Sequence, residues 1–128
     1  MIRLDVYGDP APQGSKRVFN GRVVEASGEK LKRWRKQIAE ACEQFKEENI
    51  ILGPVALEVD FYLPRPKTVK RSAPIVPPDL DKLVRAVGDG IGQSGLIWGD
   101  DSQITAIQAS KRYADDRPPG AIIFVIEL

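Results

Sequence analysis

Two segments of the chain alternate apolar and polar residues with the period of two that is typical of half-buried β-strands. The first runs from Ile2 to Tyr7, and the second, from Val55 to Leu63, alternates without interruption. Two further strands are predicted at 103–113 and 121–128, separated by a turn rich in Asp, Pro and Gly. A short hairpin is predicted around Asn20-Gly21, since Asn-Gly is a favoured two-residue turn.

Two other segments repeat apolar residues at spacings of three and four, which predicts helices with one buried face. The first helix is predicted to begin after an N-cap at Ser27 and to run to about Asn49. The second is predicted to begin near Asp79, to weaken at Gly88 and to stop by Gly92, because glycine is a poor helix former.

The order of these elements predicts an α/β (α+β) fold with a small mixed sheet and two main helices packed on one face. A length of 128 residues leaves room for one core, so we expect residues 1–128 to form a single domain. The connection at residues 64–78 has no apolar periodicity, and loops of this length tend to be functional or mobile.

Histidine is absent from the sequence, which removes the usual zinc ligand and the base of Ser-His and Cys-His catalytic pairs. Chemistry must therefore come from carboxylates, from Lys or Arg, or from a hard cation. Cys42 is the single cysteine; we interpret it as a small buried residue and expect a reducing cytoplasm. No apolar run approaches the roughly 20 residues of a membrane span, and the first residues do not resemble a signal peptide.

The net charge of +1 is unevenly distributed along the chain. Residues 1–72 carry 14 Lys or Arg against 10 Asp or Glu, whereas residues 73–128 carry 5 against 8. A basic half beside an acidic half suits a surface that binds a polyanion next to a carboxylate cluster that binds a metal. The first helix is basic in its N-terminal half and acidic in its C-terminal half, which opposes the helix dipole. That face is either a solvated charged surface or a contact surface for DNA phosphates.

Asp79 and Asp81 stand at the predicted start of the second helix, directly after two prolines. Residues two apart diverge within a regular helix, but at a helix start Asp79 can lie in extended backbone while Asp81 occupies the first turn. Both carboxylates can then converge on Mg²⁺, which prefers one or two carboxylates together with water and phosphate oxygens. The alternative is that Asp79 is a plain N-cap.

A second acidic pair, Asp100-Asp101, follows about 20 residues later, just before a predicted strand. A carboxylate from this loop would complete a two-metal phosphoryl-transfer site. Arg85 lies four residues after Asp81 on the same helix face, where it could steady a carboxylate or a phosphate. The alternative for the acidic pair is an ordinary turn after Gly99.

Three motifs together give the sequence a specific resemblance. They are Gly-Asp-Pro-Ala-Pro-Gln-Gly-Ser-Lys-Arg at 8–17, Pro-Asp-Leu-Asp-Lys-Leu-Val-Arg-Ala at 78–86 and Trp-Gly-Asp-Asp-Ser-Gln-Ile at 98–104. They resemble the RusA family of Holliday junction resolvases, which are prophage- and phage-associated endonucleases. The resemblance implies a small α/β domain that acts as a homodimer on four-way DNA junctions and nicks two strands symmetrically with Mg²⁺ or Mn²⁺, without an organic cofactor or a membrane.

The resemblance also implies roles for individual residues. The metal-binding and catalytic acids fall on Asp79, Asp81 and Asp101, the last of these being chosen over Asp100 by resemblance alone. The family's usual lysine falls on Arg85, a departure, because arginine binds phosphate but does not readily transfer a proton. We expect phosphate contacts from a set of basic residues, Lys16, Arg17, Lys67, Lys70, Arg71 and Lys82.

The sequence therefore leads to the hypothesis of an endonuclease that resolves Holliday junctions in DNA recombination and repair. Metal-activated water would attack the phosphorus in line and leave a 5′-phosphate and a 3′-hydroxyl. Three alternatives remain open: a general nuclease for branched or flapped DNA, a catalytically inert DNA-binding module, and a structural protein with acidic turns.

Overall fold

A four-stranded mixed sheet forms the centre of the protein in the computed structural model. The structure describes residues 1–14, 16–25 and 28–128, and for residues 16–19 and 23–25 it describes the backbone alone. The elements in chain order are β1 (Ile2–Tyr7), β2 (Lys16–Phe19), β3 (Arg22–Glu25), α1 (Gly28–Cys42), β4 (Val55–Leu63), α2 (Leu80–Ser94), β5 (Ile104–Tyr113) and β6 (Gly120–Glu127). Short 3₁₀ turns, Glu43–Phe45 and Asp101–Gln103, follow α1 and precede β5.

The central sheet has the strand order β1-β6-β4-β5. β6 pairs antiparallel with both β1 and β4, whereas β5 pairs parallel with β4 and is reached through α2. The hairpin of β2 and β3 forms its own two-stranded sheet and turns at Asn20-Gly21, where both φ angles are positive. Because β4 and β5 are parallel, Leu63 and Tyr113 lie side by side where both strands end.

One face of the sheet carries the hydrophobic core, because alternate residues of β1, β4 and β6 are buried there. Both helices contribute their apolar stripes to the same cluster, among them Trp34 and Ile38 from α1 and Leu83 and Ile91 from α2. The prediction of a mixed sheet with two helices on one face is confirmed. Among the described residues, no helix is long and apolar enough to cross a lipid bilayer.

The first helix is shorter than the sequence pattern predicted. α1 ends at Cys42 rather than at about Asn49, and the next three residues form a 3₁₀ turn. The physical reason is charge: the last turn holds no basic residue and Glu43 follows directly, which disfavours further helix at the negative end of the dipole. The predicted N-cap, Ser27, lies outside the described residues. Cys42 is buried, as expected, and burial raises the pKa of its thiol.

The second helix is longer than predicted, because it continues through Gly88 and Gly92 to Ser94. It ends at Gly95, whose φ of 67° is the left-handed conformation common after helices. The glycines inside α2 serve packing. A Cβ placed on Gly90 would lie 2.9 Å from the Cβ of Ile38, so α1 and α2 approach more closely than any other residue would permit.

We predict that Gly90→Ala lowers the free energy of unfolding, although alanine favours helix more than glycine does. The added methyl group overpacks the contact with Ile38, an effect of about 1–3 kcal/mol. Urea denaturation measures the change. Gly28→Ala is the matched control, because a Cβ there meets nothing within 4 Å. Equal stability of the two variants would contradict the packing argument.

Candidate active site

The start of α2 has the backbone geometry that the sequence suggested for Asp79 and Asp81. Asp79 precedes the helix in extended backbone, with φ −70° and ψ 140°, and Asp81 lies in the first turn. The Asp79 side chain makes no capping hydrogen bond to the helix, so its carboxylate is not occupied as an N-cap. Its Oδ2 lies 3.9 Å from Nζ of Lys82, one of the predicted phosphate-binding residues.

The segment that leads into α2 is held by Lys111, a residue that the sequence analysis missed. Nζ of Lys111 donates hydrogen bonds to the carbonyl oxygens of Val76 and Pro78, at 2.9 and 2.8 Å. Pro78 directly precedes Asp79, so these bonds fix the entry of the acid-bearing helix against β5. No sequence pattern indicated this role, because the register that pairs Lys111 with buried Phe61, and so places it on the core-facing side of β5, is known only from the structure.

The first loop of the chain packs against the same end of α2. The backbone N–H of Gln13 donates to the carbonyl of Lys82 at 3.0 Å, and Arg35 of α1 donates to the Gln13 side chain at 3.1 Å. Gly14 adjoins Arg85, since a Cβ on Gly14 would lie 2.6 Å from a guanidinium nitrogen. The structure therefore brings the 8–17 motif, as far as it is described, next to Lys82 and the exposed Arg85, in the turns of α2 that follow the two aspartates.

Asp101 lies against α2 as well, farther along the helix. Its Oδ1 accepts a hydrogen bond from the indole N–H of Trp98 at 3.0 Å. A Cβ on Gly88 would lie 3.4 Å from Oδ2, and a Cβ on Gly92 would lie 3.2 Å from Oδ1. The two glycines therefore form a surface on which the carboxylate rests. A larger residue at position 88 would favour the helix more, but its side chain would crowd the Asp101 carboxylate.

Burial raises the pKa of Asp101 above the ordinary value of an aspartate. The hydrogen bond from Trp98 opposes this rise, while the negative charges of Asp89 and Asp100 add to it. Asp89 is a second residue that the sequence analysis did not assign. It lies four residues after Arg85 and eight after Asp81, so the three share one face of α2.

Asp100 has a different role from its neighbour. Its Oδ2 accepts the backbone N–H of Ser102 at 2.9 Å, while the Gln103 side chain accepts the N–H of Asp100 in return. This reciprocal capping closes the turn before β5, and the hydrogen bonds from Ser102 lower the pKa of Asp100. Asp100 is therefore a turn residue, which was the alternative considered for the acidic pair, whereas Asp101 is the acid that faces α2.

The structure does not gather the three predicted acids into one cluster. Gly88, where Asp101 rests, lies seven residues beyond Asp81, about 10 Å along the helix axis at 1.5 Å per residue. Within the described part of the chain, no group of three or more acids is arranged to hold a metal ion. The acids instead lie at two places along one helix: Asp79 and Asp81 are at its start, and Asp101 interacts with Asp89 two turns later.

Three of the six predicted phosphate-binding residues lie on the connection at residues 64–78, which is anchored at its base. Arg65 donates two hydrogen bonds to the Asp115 carboxylate, at 2.6 and 3.0 Å, and its guanidinium stacks 4.2 Å from the centre of the Tyr113 ring. Arg65 also donates to the carbonyls of Val69 and Arg71. Lys67, Lys70 and Arg71 are exposed on this ordered connection. The side chains of Lys16 and Arg17 lie outside the description.

The acid pairs and the basic connection define a class of site: a surface built from carboxylates that can hold hard cations, beside cations that can hold phosphate. Comparison with known proteins identifies the family. Residues 8–126 match the family model described as Endodeoxyribonuclease RusA. The chain is also 34% identical to uncharacterized protein YqaN of Bacillus subtilis (strain 168), over 90% of this chain and 89% of that protein. The chain belongs to the RusA endodeoxyribonuclease family, which confirms the resemblance, and family membership supports nuclease activity.

We predict that Lys111→Met loosens the entry to α2 and lowers nuclease activity on branched DNA by about 10- to 100-fold, since small misplacements of reacting groups have effects of that size. Hydrogen exchange should become faster at the amides of Ile75 and Leu83, which donate to the carbonyls of Ala73 and Asp79 on either side of this segment, because the Lys111 bonds that hold the segment are lost. Lys46→Met, a change at an exposed lysine, is the control. Unchanged exchange in Lys111→Met would show that these bonds do not order the segment.

Proposed function

We propose that this protein is a Mg²⁺-dependent, structure-selective endonuclease that resolves Holliday junctions in DNA recombination and repair by paired symmetric nicks. One observation supports this most directly. Asp101 rests on a glycine surface of the same helix that begins with Asp79 and Asp81, in a chain of the RusA family. Within the proposal, residues 1–128 act as one nuclease domain and Mn²⁺ can replace Mg²⁺.

The residues present suit magnesium. Mg²⁺ needs few protein ligands and takes the rest from water and phosphate oxygens, so a pair of carboxylates suffices where a closed cage does not form. Asp79 and Asp81 would hold metal at the start of α2, and Asp101, with Asp89 beside it, would hold metal two turns later. When bound, the metal would lower the pKa of a water molecule and neutralise charge on the phosphate. The open distribution of acids along α2 leaves room for the DNA phosphate between the two pairs.

The chain's own cations would position the substrate. Arg85 lies on the acid face of α2 between the two pairs, and its guanidinium can bind a phosphate in two places. Because arginine stays protonated, Arg85 would stabilise negative charge but would not transfer a proton. Protonation of the leaving 3′-oxygen would then fall to water. The expected products are a 5′-phosphate and a 3′-hydroxyl.

Symmetric cutting of a junction also has a consequence for the oligomeric state of the protein. Two equivalent strands must be cut at two equivalent positions, and one chain provides a single set of acids. A homodimer with two-fold symmetry meets this requirement. Four-way DNA is therefore the proposed substrate, and the dimer the proposed active form.

We predict that Asp79→Asn and Asp101→Asn each bind a synthetic four-way junction but cut it at least about 100-fold more slowly, as expected when charge stabilisation at the reacting phosphate is lost. Cut sites are mapped on a mobile junction with Mg²⁺ and with EDTA. Asp100→Asn is the matched control: its amide oxygen can still accept the Ser102 N–H, so cutting should persist. Full cleavage by Asp79→Asn or Asp101→Asn would overturn the assignment, and equal cutting of linear or three-way DNA would indicate a general nuclease.

We predict that combining Lys67→Ala with Lys70→Ala weakens junction binding and flattens its salt dependence. Each phosphate contact contributes about −0.9 to the slope of log K against log salt, so the slope should fall in magnitude by nearly 2 if both lysines bind phosphate. Lys46→Ala is the control, since its neighbour Phe45 lines the opposite end of the sheet with Met1 and Glu127. An unchanged slope in the double variant would show that Lys67 and Lys70 of the connection do not contact DNA phosphates.

A further inference from the structure

We propose that a cavity beneath the connection at residues 64–78 holds one unpaired nucleobase of the DNA, next to the phosphate that is cut. This inference rests on the proposed function, because it concerns how that same site selects its substrate. The cavity has a volume of about 150 Å³ and lies where β4 and β5 end. A cavity of this volume accommodates a single six-membered ring.

The walls of the cavity are suited to a flat, apolar ring. Most of its lining comes from proline and aliphatic residues, including Leu63, Pro66, Pro74, Val76 and Pro78. Proline side chains are rigid, so their faces are already placed for contact and little conformational entropy is lost on binding. Binding sites for small groups are typically apolar with a few polar atoms that fix orientation.

Tyr113 contributes the aromatic ring of the lining. Tyr113 lines the cavity, is only 7% exposed, and its hydroxyl is buried without a hydrogen-bond partner among the described residues. Buried hydroxyls are normally paired, so an unpaired one calls for an explanation. The edge of a nucleobase offers both donors and acceptors, and within the proposal a small shift of the Tyr113 ring on binding would bring its hydroxyl to that edge. The guanidinium of Arg65, stacked on the ring, holds Tyr113 in place.

Charge around the cavity favours a nucleotide over an apolar peptide. Lys30 of α1 and Arg71 of the connection are exposed and both contribute to the lining. They can neutralise the phosphates on either side of a bound base. Pro78, another part of the wall, is followed directly by Asp79, so a base in the cavity would bring its own backbone phosphate to the first acid of the site.

The base must be unpaired to enter. A base within duplex DNA is stacked and its pairing edge is occupied, whereas a base that enters a pocket is first turned out of the stack. That step requires least energy where pairing is already disrupted, as at the branch point of a junction. The cavity would thus couple recognition of branched structure to placement of the scissile phosphate.

The test is a four-way junction with a pyrimidine at the branch point and the fluorescent base 2-aminopurine as its stacked neighbour in the same strand, mixed with the protein without divalent metal; the fluorescence then reports loss of stacking when the pyrimidine enters the cavity. We expect the wild type to change the fluorescence, and we expect Val76→Trp, which fills the cavity from a partly exposed position, to abolish the change. Tyr113→Phe should weaken the effect by about fivefold to tenfold, the value of one hydrogen bond. Tyr62→Phe is the matched control, because Tyr62 points to the opposite face of β4.

Folding is checked by urea denaturation, in which Tyr113→Phe should be no less stable than the wild type, since it removes an unpaired buried hydroxyl. Equal fluorescence changes in the wild type and Val76→Trp, or equal changes with 2-aminopurine inside linear duplex DNA, would overturn the proposal. Metal-dependent cleavage is measured separately on the same junction. A fluorescence change that is lost in Val76→Trp, without any cleavage, would keep the cavity and reject the nuclease assignment.

Discussion

The close approach of α2 to its neighbours is the constraint on which the rest of the structure depends. Gly90 lets the helix contact Ile38 of α1, and Gly88 with Gly92 lets the Asp101 carboxylate rest directly on its backbone. Larger residues at these positions would move the helix away from α1 and from the turn before β5. Because glycine has no side chain, Gly90 allows close packing with the core on one side of α2, and Gly88 and Gly92 allow an acid to lie against the helix on the other. Stability and the candidate chemistry share one helix for this reason.

The strands could be predicted from the sequence because their alternation is a local property. Val55–Leu63 is a strand with the predicted bounds, and the mixed sheet was predicted from the order of the elements. The limits of the helices were predicted less well, because they depend on tertiary contacts. Glycines in α2 suggested an early end, yet the helix continues to Ser94, since packing outweighs low propensity. In α1, charge near the C-terminal end shortened a pattern that hydrophobicity alone would have extended to Asn49.

In the candidate site, too, local features could be predicted from the sequence and those that depend on tertiary contacts could not. The extended backbone at Asp79 and the first-turn position of Asp81 followed from the prolines and the helix start. Resemblance chose Asp101, and the structure adds a physical distinction, because Asp100 is engaged in the turn. The separation between the acid pairs could not be derived from spacing in the sequence, since it depends on where the turn before β5 meets α2. Lys111 was missed for a related reason: its partners are backbone carbonyls, which no side-chain motif reports.

The acids of the candidate site are spread along one face of α2, and this arrangement affects how the site would select its DNA substrate. In the proposed function, carboxylates spread along one helix face would hold their cations loosely, so the substrate phosphate would have to complete the coordination. A phosphate is placed well only if the rest of the nucleotide is held. The connection at residues 64–78 meets that need, because Arg65 and Lys111 fix it at both ends, against Asp115 and just before Asp79. The rigid connection, more than the acids, would then decide which DNA is cut.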